Sequence, residues 1–214
     1  MICYSYGLYL HINGEQAMNI SKDFIQHLRN HLEEYNFKLI LSNSKQVNTG
    51  TGFRCSGFFD ESTKTIRVAT KSSVWLEVLV HEYCHFLDYL ECSRRELDKE
   101  NNAIGICESH MKGHICHARS VKYAFLTVAR MEWKAEKRAQ GIIREWHLPI
   151  DLVDYNKEAN LHICLYHMYQ KHHRYGPRSN PATETILAMM PKTISNRMWR
   201  GISEDLEKAL SKYF

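Results

Sequence analysis

A helix that must bury two imidazoles one turn apart limits this chain more than any other stretch. Val78-Leu79-Val80-His81-Glu82-Tyr83-Cys84-His85-Phe86-Leu87 holds the pattern H-E-x-x-H. The run Ser73-Val74-Trp75-Leu76-Glu77 before it reads as the start of the helix, with Ser72 or Ser73 able to cap it. Tyr83, Cys84, Phe86 and Leu87 carry no charge, so the helix is expected inside the protein. Positions four apart lie on one helical face, so His81 and His85 can offer two nitrogens to one metal ion. Val74, Val78, His81, His85 and Asp88 share a stripe that a core would otherwise fill with apolar side chains. Polar rings buried there need partners. Backbone groups or carboxylates could serve two core histidines, and a metal ion serves both at once. Glu82, one position round the helix, falls beside a metal-bound water rather than on the metal. Two nitrogen ligands, a third ligand, an open fourth position and a carboxylate base are the parts of a zinc hydrolase.

Composition sets the frame for that motif. The 214 residues are 44% hydrophobic, enough for one globular domain, and the chain is read as one domain over 1–214. Its core is expected at about 20–175, with 176–214 as a helical extension. No run is long enough for a membrane span, and Met1-Ile2-Cys3-Tyr4-Ser5-Tyr6-Gly7 does not read as a secretion signal. Seven cysteines, an odd number, suit a reducing compartment better than a disulfide framework, so a cytoplasmic location is expected. A net charge of +4 permits a nucleic-acid partner without arguing for one.

Ser21-Lys22-Asp23-Phe24 opens a helix whose Phe24, Leu28, His31/Leu32 and Tyr35 recur at helical spacing. Phe37–Leu41 reads as a strand and 42–52 as a polar loop broken by Gly50 and Gly52. Phe53–Phe59 and Thr65–Thr70 read as two strands joined by a turn over 60–64. An edge strand beside a metal can hold an extended peptide by backbone pairing; equally, the hairpin can be scaffold alone. Residues 91–102 are strongly charged and are expected as a solvated linker or helix surface. Cys107, His110, His114, Cys116 and His117 follow in a tract rich in soft ligands. Their spacing matches no C-x₂-C pair, so a second, structural zinc is not expected there.

The third ligand is sought elsewhere. Val121 to Trp146 reads as one long helix, ended by Pro149. Its stripe runs Val121, Phe125, Val128, Glu132, Ala135, Ala139, Ile142, Trp146, which places a carboxylate in the middle of an apolar seam. Glu136 lies one turn further on the same side. A buried carboxylate needs a cation or hydrogen-bond donors, either a metal or a salt bridge to Arg130, Arg138 or a lysine.

Glu132-Trp133-Lys134-Ala135-Glu136 resembles the E-x-x-A-D/E signature on the second helix of gluzincin metallopeptidases. With His81-Glu82-Tyr83-Cys84-His85, it is also similar to small metallopeptidases carried by phage and bacterial genomes. The resemblance covers residues 20 to 195 and is specific at the two helices. It implies a zincin-like α+β domain, mainly helical, with a small antiparallel sheet next to the H-E-x-x-H helix. It implies Glu132 as the third zinc ligand and Glu136 as the acid that hydrogen-bonds to a ligating histidine, orienting His81. Glu136 stands where Asp is more usual, so the opposite assignment, Glu136 as ligand and Glu132 in support, stays open. The 47 residues from His85 to Glu132 (132 − 85) exceed the separation in a minimal gluzincin.

Asp151 can cap a further helix to about His173, with Leu152, Tyr155, Ala159, His162, Tyr166, Tyr169 and His173 on one stripe. A Tyr or His on such an element can donate to an oxyanion, which nominates His162, Tyr166 and His167. Ordinary packing of amphipathic aromatics explains the stripe without any catalytic role, and is the preferred reading of it. Terminal helices are expected at 182–190 and 203–213. The reading is a zinc metallopeptidase acting on a protein or peptide, with no membrane partner; a phage-encoded chain would act in the host cytoplasm. Two alternatives stand beside it. One is a regulatory metalloprotein associated with a partner or DNA. The other is a non-enzymatic protein whose zinc is closed by a fourth ligand such as Cys84 or one of the 107–117 tract.

Overall fold

The computed structural model describes residues 15–49, 54–174 and 179–214. Among these it forms α1 (Glu15–Glu34), β1 (Lys38–Ser42), β2 (Val47–Asn48), β3 (Arg54–Cys55), β4 (Gly57–Asp60) and β5 (Thr65–Ala69). Six helices follow: α2 (Trp75–Glu91), α3 (Arg94–Met111), α4 (Ala118–Glu145), α5 (Leu152–His172), α6 (Glu184–Ala188) and α7 (Glu204–Ser211). The fold class is α+β and mainly helical. No helix among the described residues is long and apolar enough to cross a membrane. The chain divides into two compact units. One holds the residues up to Glu91 with Arg138–Leu152, the other Cys92–Lys137 with Val153–Phe214.

In the first unit α1 starts six residues before the Ser21 anticipated from the capping pattern. Phe24, Leu28 and Leu32, at helical spacing, are fully buried. Asn36 then takes a positive φ of 60° and turns the chain into β1, a conformation Asn tolerates better than most residues. The sheet has the order β1-β5-β4. β4 and β5 are antiparallel, as the hairpin pattern indicated, but β1 pairs with β5 in parallel, Leu39 opposite Ile66. The sheet is therefore mixed, not antiparallel. The long connection from Ser42 to Thr65 is what permits parallel pairing. The strand expected over Phe53–Phe59 is broken at Ser56, whose carbonyl accepts from the Ala69 N–H. Ahead of the break β3 pairs with β2, inside the segment read as loop; Gly50, Gly52 and Phe53 lie outside the described residues.

α2 packs across β4 and β5. Val78, Leu79, Val80 and Phe86 are fully buried, and Phe86 makes edge contacts with Phe37 and Phe59. Gly57 sets how closely strand and helix approach: a Cβ there would lie 2.5 Å from Val78 Cγ1 and 3.0 Å from the Arg67 carbonyl oxygen. Gly57→Ala must push β4 off α2, an overpacking cost of about 1–3 kcal/mol. Urea unfolding is expected to show a lowered midpoint at unchanged slope. An unshifted midpoint would refute the close approach.

In the second unit the charged segment 91–102 becomes the start of α3, not a linker. Ser93 and Glu96 form a reciprocal capping box there: Ser93 Oγ accepts from the Glu96 N–H, and the Glu96 carboxylate from the Ser93 N–H. α4 buries Val121, Phe125, Val128, Glu132 and Ala135 in this unit and Ala139 and Ile142 in the first; Trp146, the last of the seam read from the sequence, lies just past the helix and is half-buried. α5 is buried on most sides, from Tyr155 to Tyr169. The segment after α6 is stapled to α5, because Asn160 Nδ2 donates to the carbonyls of Pro191 and Thr193 and its Oδ1 accepts from the Ser195 N–H. Residues 179–214 are grouped with this unit.

Candidate metal centre

Helix periodicity brings His81 and His85 together on α2. Their Nε2 atoms are 3.0 Å apart. One Nε2 donating to the other would account for that contact, and so would convergence on a shared ion: two zinc–nitrogen bonds of about 2.1 Å at the tetrahedral angle put the nitrogens about 3.4 Å apart. Glu132 on α4 completes the group. One ligand atom from each of His81, His85 and Glu132 lies within 4.8 Å of the others. His81 and Glu132 are 1% and 2% exposed, while His85 is half-buried and reaches toward solvent. Two neutral imidazoles and one carboxylate fit a divalent cation in charge and in ligand type. This buried group could hold a metal ion. Among the described residues no fourth His, Cys, Asp or Glu joins it.

Glu82 is also buried, at 2% exposure. Its Oε2 accepts a 2.8 Å hydrogen bond from the Phe59 N–H of the edge strand β4. The sheet therefore orients the acid of the H-E-x-x-H pattern through a backbone donor, which no side-chain pattern could reveal. Gly57, two residues earlier, is what lets β4 come this close to α2.

Glu136 is fully buried and accepts from the Tyr155 hydroxyl. Burial raises its carboxyl pKa to about 8, against a smaller lowering by the Tyr155 bond. His162 Nδ1 lies 3.8 Å from Glu132 Oε2 and 3.9 Å from Glu136 Oε1, so this imidazole faces both acids. The Tyr155 donor comes from the aromatic and imidazole-rich stripe of α5. The salt-bridge alternative for Glu132 is not taken up by Arg138, which is bound to Glu91 and Asp88 of α2.

The Glu136 carboxyl gives stability a pH dependence of definite sign. Its folded pKa of about 8 exceeds the 4.5 of a free glutamate. The folded state thus favours the neutral acid, and its stabilising contribution is complete below pH 4.5 and lost as pH rises toward 8. In metal-free protein, urea midpoints should fall across that window, and Glu136→Gln should flatten the fall. Parallel profiles for the two proteins would contradict this.

The other nominated residues are spread out. Tyr166 is buried at 2% exposure and stacks edge-on with His162 at 5.6 Å. His167 points elsewhere: its Nε2 bonds the Met198 carbonyl oxygen at 3.0 Å, and it lines a cleft of about 770 Å³ with His110, His114, Cys116 and His173. Cys107 and His110 are buried on α3 while His114 and His117 are exposed. Among the described residues this tract forms no metal-ligand group. Burial pushes the Cys84 thiol well above its ordinary pKa, so it stays protonated, and it is not part of the His81–His85–Glu132 group.

No family model, curated protein or solved structure matches the chain. The residues by themselves define a mainly helical α+β protein with a candidate site of two histidines and one glutamate.

Proposed function

We propose that the protein is a zinc-dependent hydrolase of peptide bonds, with a zincin-like arrangement around α2. The observation that carries this reading is the pairing of a three-ligand group, His81, His85 and Glu132, with an adjacent buried carboxylate, Glu82, held by the Phe59 N–H. A purely structural zinc is closed by four protein ligands, whereas a catalytic one has three. A bound zinc ion supplies Lewis acidity, polarising the scissile carbonyl and making water nucleophilic near neutral pH. Glu82 takes the proton of the attacking water as its oxygen bonds to the carbonyl carbon. It then passes that proton to the amide nitrogen as the C–N bond breaks. Phe59 keeps the acid aimed through both transfers, and His162 orients Glu132 from behind. His85, reaching toward solvent, marks the side from which a peptide approaches.

Mass spectrometry of a bacterial lysate incubated with wild type or with Glu82→Gln tests the reading. New peptide termini should accumulate with wild type and zinc, and not with the variant. Identical peptide sets would refute it.

A further inference from the structure

The second unit carries a cluster that the metal centre does not use. Arg130, Trp133 and Lys137 follow one another at spacings of three and four on α4, which sets them on one face, turned from Glu132 and Glu136. Trp199 and Arg200 reach the same place from the turn before α7. The two indoles lie 6.5 Å apart at 45°. Lys137 Nζ stands 5.1 Å from the Trp133 ring, and the Arg130 and Arg200 guanidiniums 5.7 Å and 5.0 Å from the Trp199 ring.

Two features distinguish this cluster from ordinary surface packing. The first is charge. Arg130, Lys137 and Arg200 are all exposed and, like most of the cations among the described residues, form no ion pair; what sets them apart is that the three gather on two neighbouring rings. Three neighbouring cations without counter-charge repel one another, and an anion relieves that. The second is rigidity. The turn that presents Trp199 is tied down by Asn160, fully buried, through the Ser195 N–H and the Thr193 carbonyl. His167 bonds the carbonyl of Met198, the residue directly before Trp199. The platform is therefore built before any ligand arrives.

We propose that this face binds single-stranded nucleic acid. Phosphates would sit against Arg130, Lys137 and Arg200, and unpaired bases would stack on Trp133 and Trp199 as the cations swing onto the backbone. A duplex hides its base faces and an acidic peptide has none, so neither uses the indoles. The inference is independent of peptide hydrolysis and holds whether or not a metal is bound.

Fluorescence anisotropy with a labelled oligo-dT or oligo-U of about ten nucleotides tests it, since single-strand sites span roughly that length. Wild type should bind, with log K falling against log salt at a slope of about −2, that is about 0.7 for each of three phosphates. The triple variant Arg130→Glu, Lys137→Glu, Arg200→Glu alters only exposed side chains and should lose at least about tenfold in affinity. Trp199→Ala should lose about tenfold with the salt slope unchanged, because stacking releases no counterions. Circular dichroism checks that both variants are folded. Binding by the triple variant within about twofold of wild type would overturn the proposal. So would polyglutamate or a DNA duplex binding as tightly as the single strand. Oligo-dU set against oligo-U, which differ in the sugar alone, shows whether the 2′-hydroxyl contributes.

Discussion

Replacing Glu82 by glutamine should leave bound zinc in place and lower peptide hydrolysis about 10²–10⁴-fold, the range that general acid–base catalysis contributes. The two side chains have nearly the same shape. The glutamine carbonyl oxygen can accept from the Phe59 N–H where Glu82 Oε2 now does at 2.8 Å, so β4 and α2 keep their contact. The amide has no basic oxygen, so it cannot take the water's proton, and it has no proton to return to the leaving amine. The loss should fall on kcat, with KM little altered, because the interaction removed is made only in the transition state. Unchanged turnover in a variant that retains its metal would exclude Glu82 as the base. Loss of activity together with the metal would leave the question to Glu82→Asp, which keeps a base but shortens its reach.

The second large effect is on metal content. Wild type should bind about one zinc per chain, and His81→Ala and Glu132→Ala should each bring this near zero, since two protein ligands do not hold a zinc ion at neutral pH. Stability follows by mass action. At free zinc a hundredfold above the dissociation constant, the folded state gains about 2.7 kcal/mol. For a chain of this size that raises the melting temperature by about 5–10 °C. Neither variant should show the rise. Glu136→Gln separates the two acids: it should keep the metal, because Glu132 and not Glu136 is grouped with the imidazoles. Full zinc occupancy in both alanine variants would remove the site altogether. Occupancy lost in Glu136→Gln but kept in Glu132→Ala would exchange the roles of the two acids.

Much of this site was readable along the chain. His81 and His85 share a face because the α-helix repeats every 3.6 residues, and a run with so little charge had to be buried. Glu132 stood out for the same reason: the apolar seam of α4 is interrupted by a carboxylate, and the seam is buried as its pattern required. Local phase was enough for both. The cap of α3 at Ser93 was equally local, yet the density of charge in 91–102 hid it; Ser-x-x-Glu was present and outweighed. The mixed sheet was less accessible, because the direction in which β1 meets β5 depends on the route of the chain between them and not on either strand.

What the sequence determined by itself is therefore the set of ligand-bearing faces: two imidazoles with an acid on α2, and two acids on α4. Only the tertiary structure decided how those faces are used. It grouped Glu132 with the imidazoles, set the Tyr155 hydroxyl on Glu136, turned His162 toward both acids, bonded His167 to the Met198 carbonyl, and set the Phe59 N–H on Glu82. It also brought Trp199 against Trp133 across sixty-six positions of sequence (199 − 133). The physical reason is range. Helical phase is settled by neighbours within a turn, whereas the partner a buried polar atom finds is settled by which distant segments share the space around it.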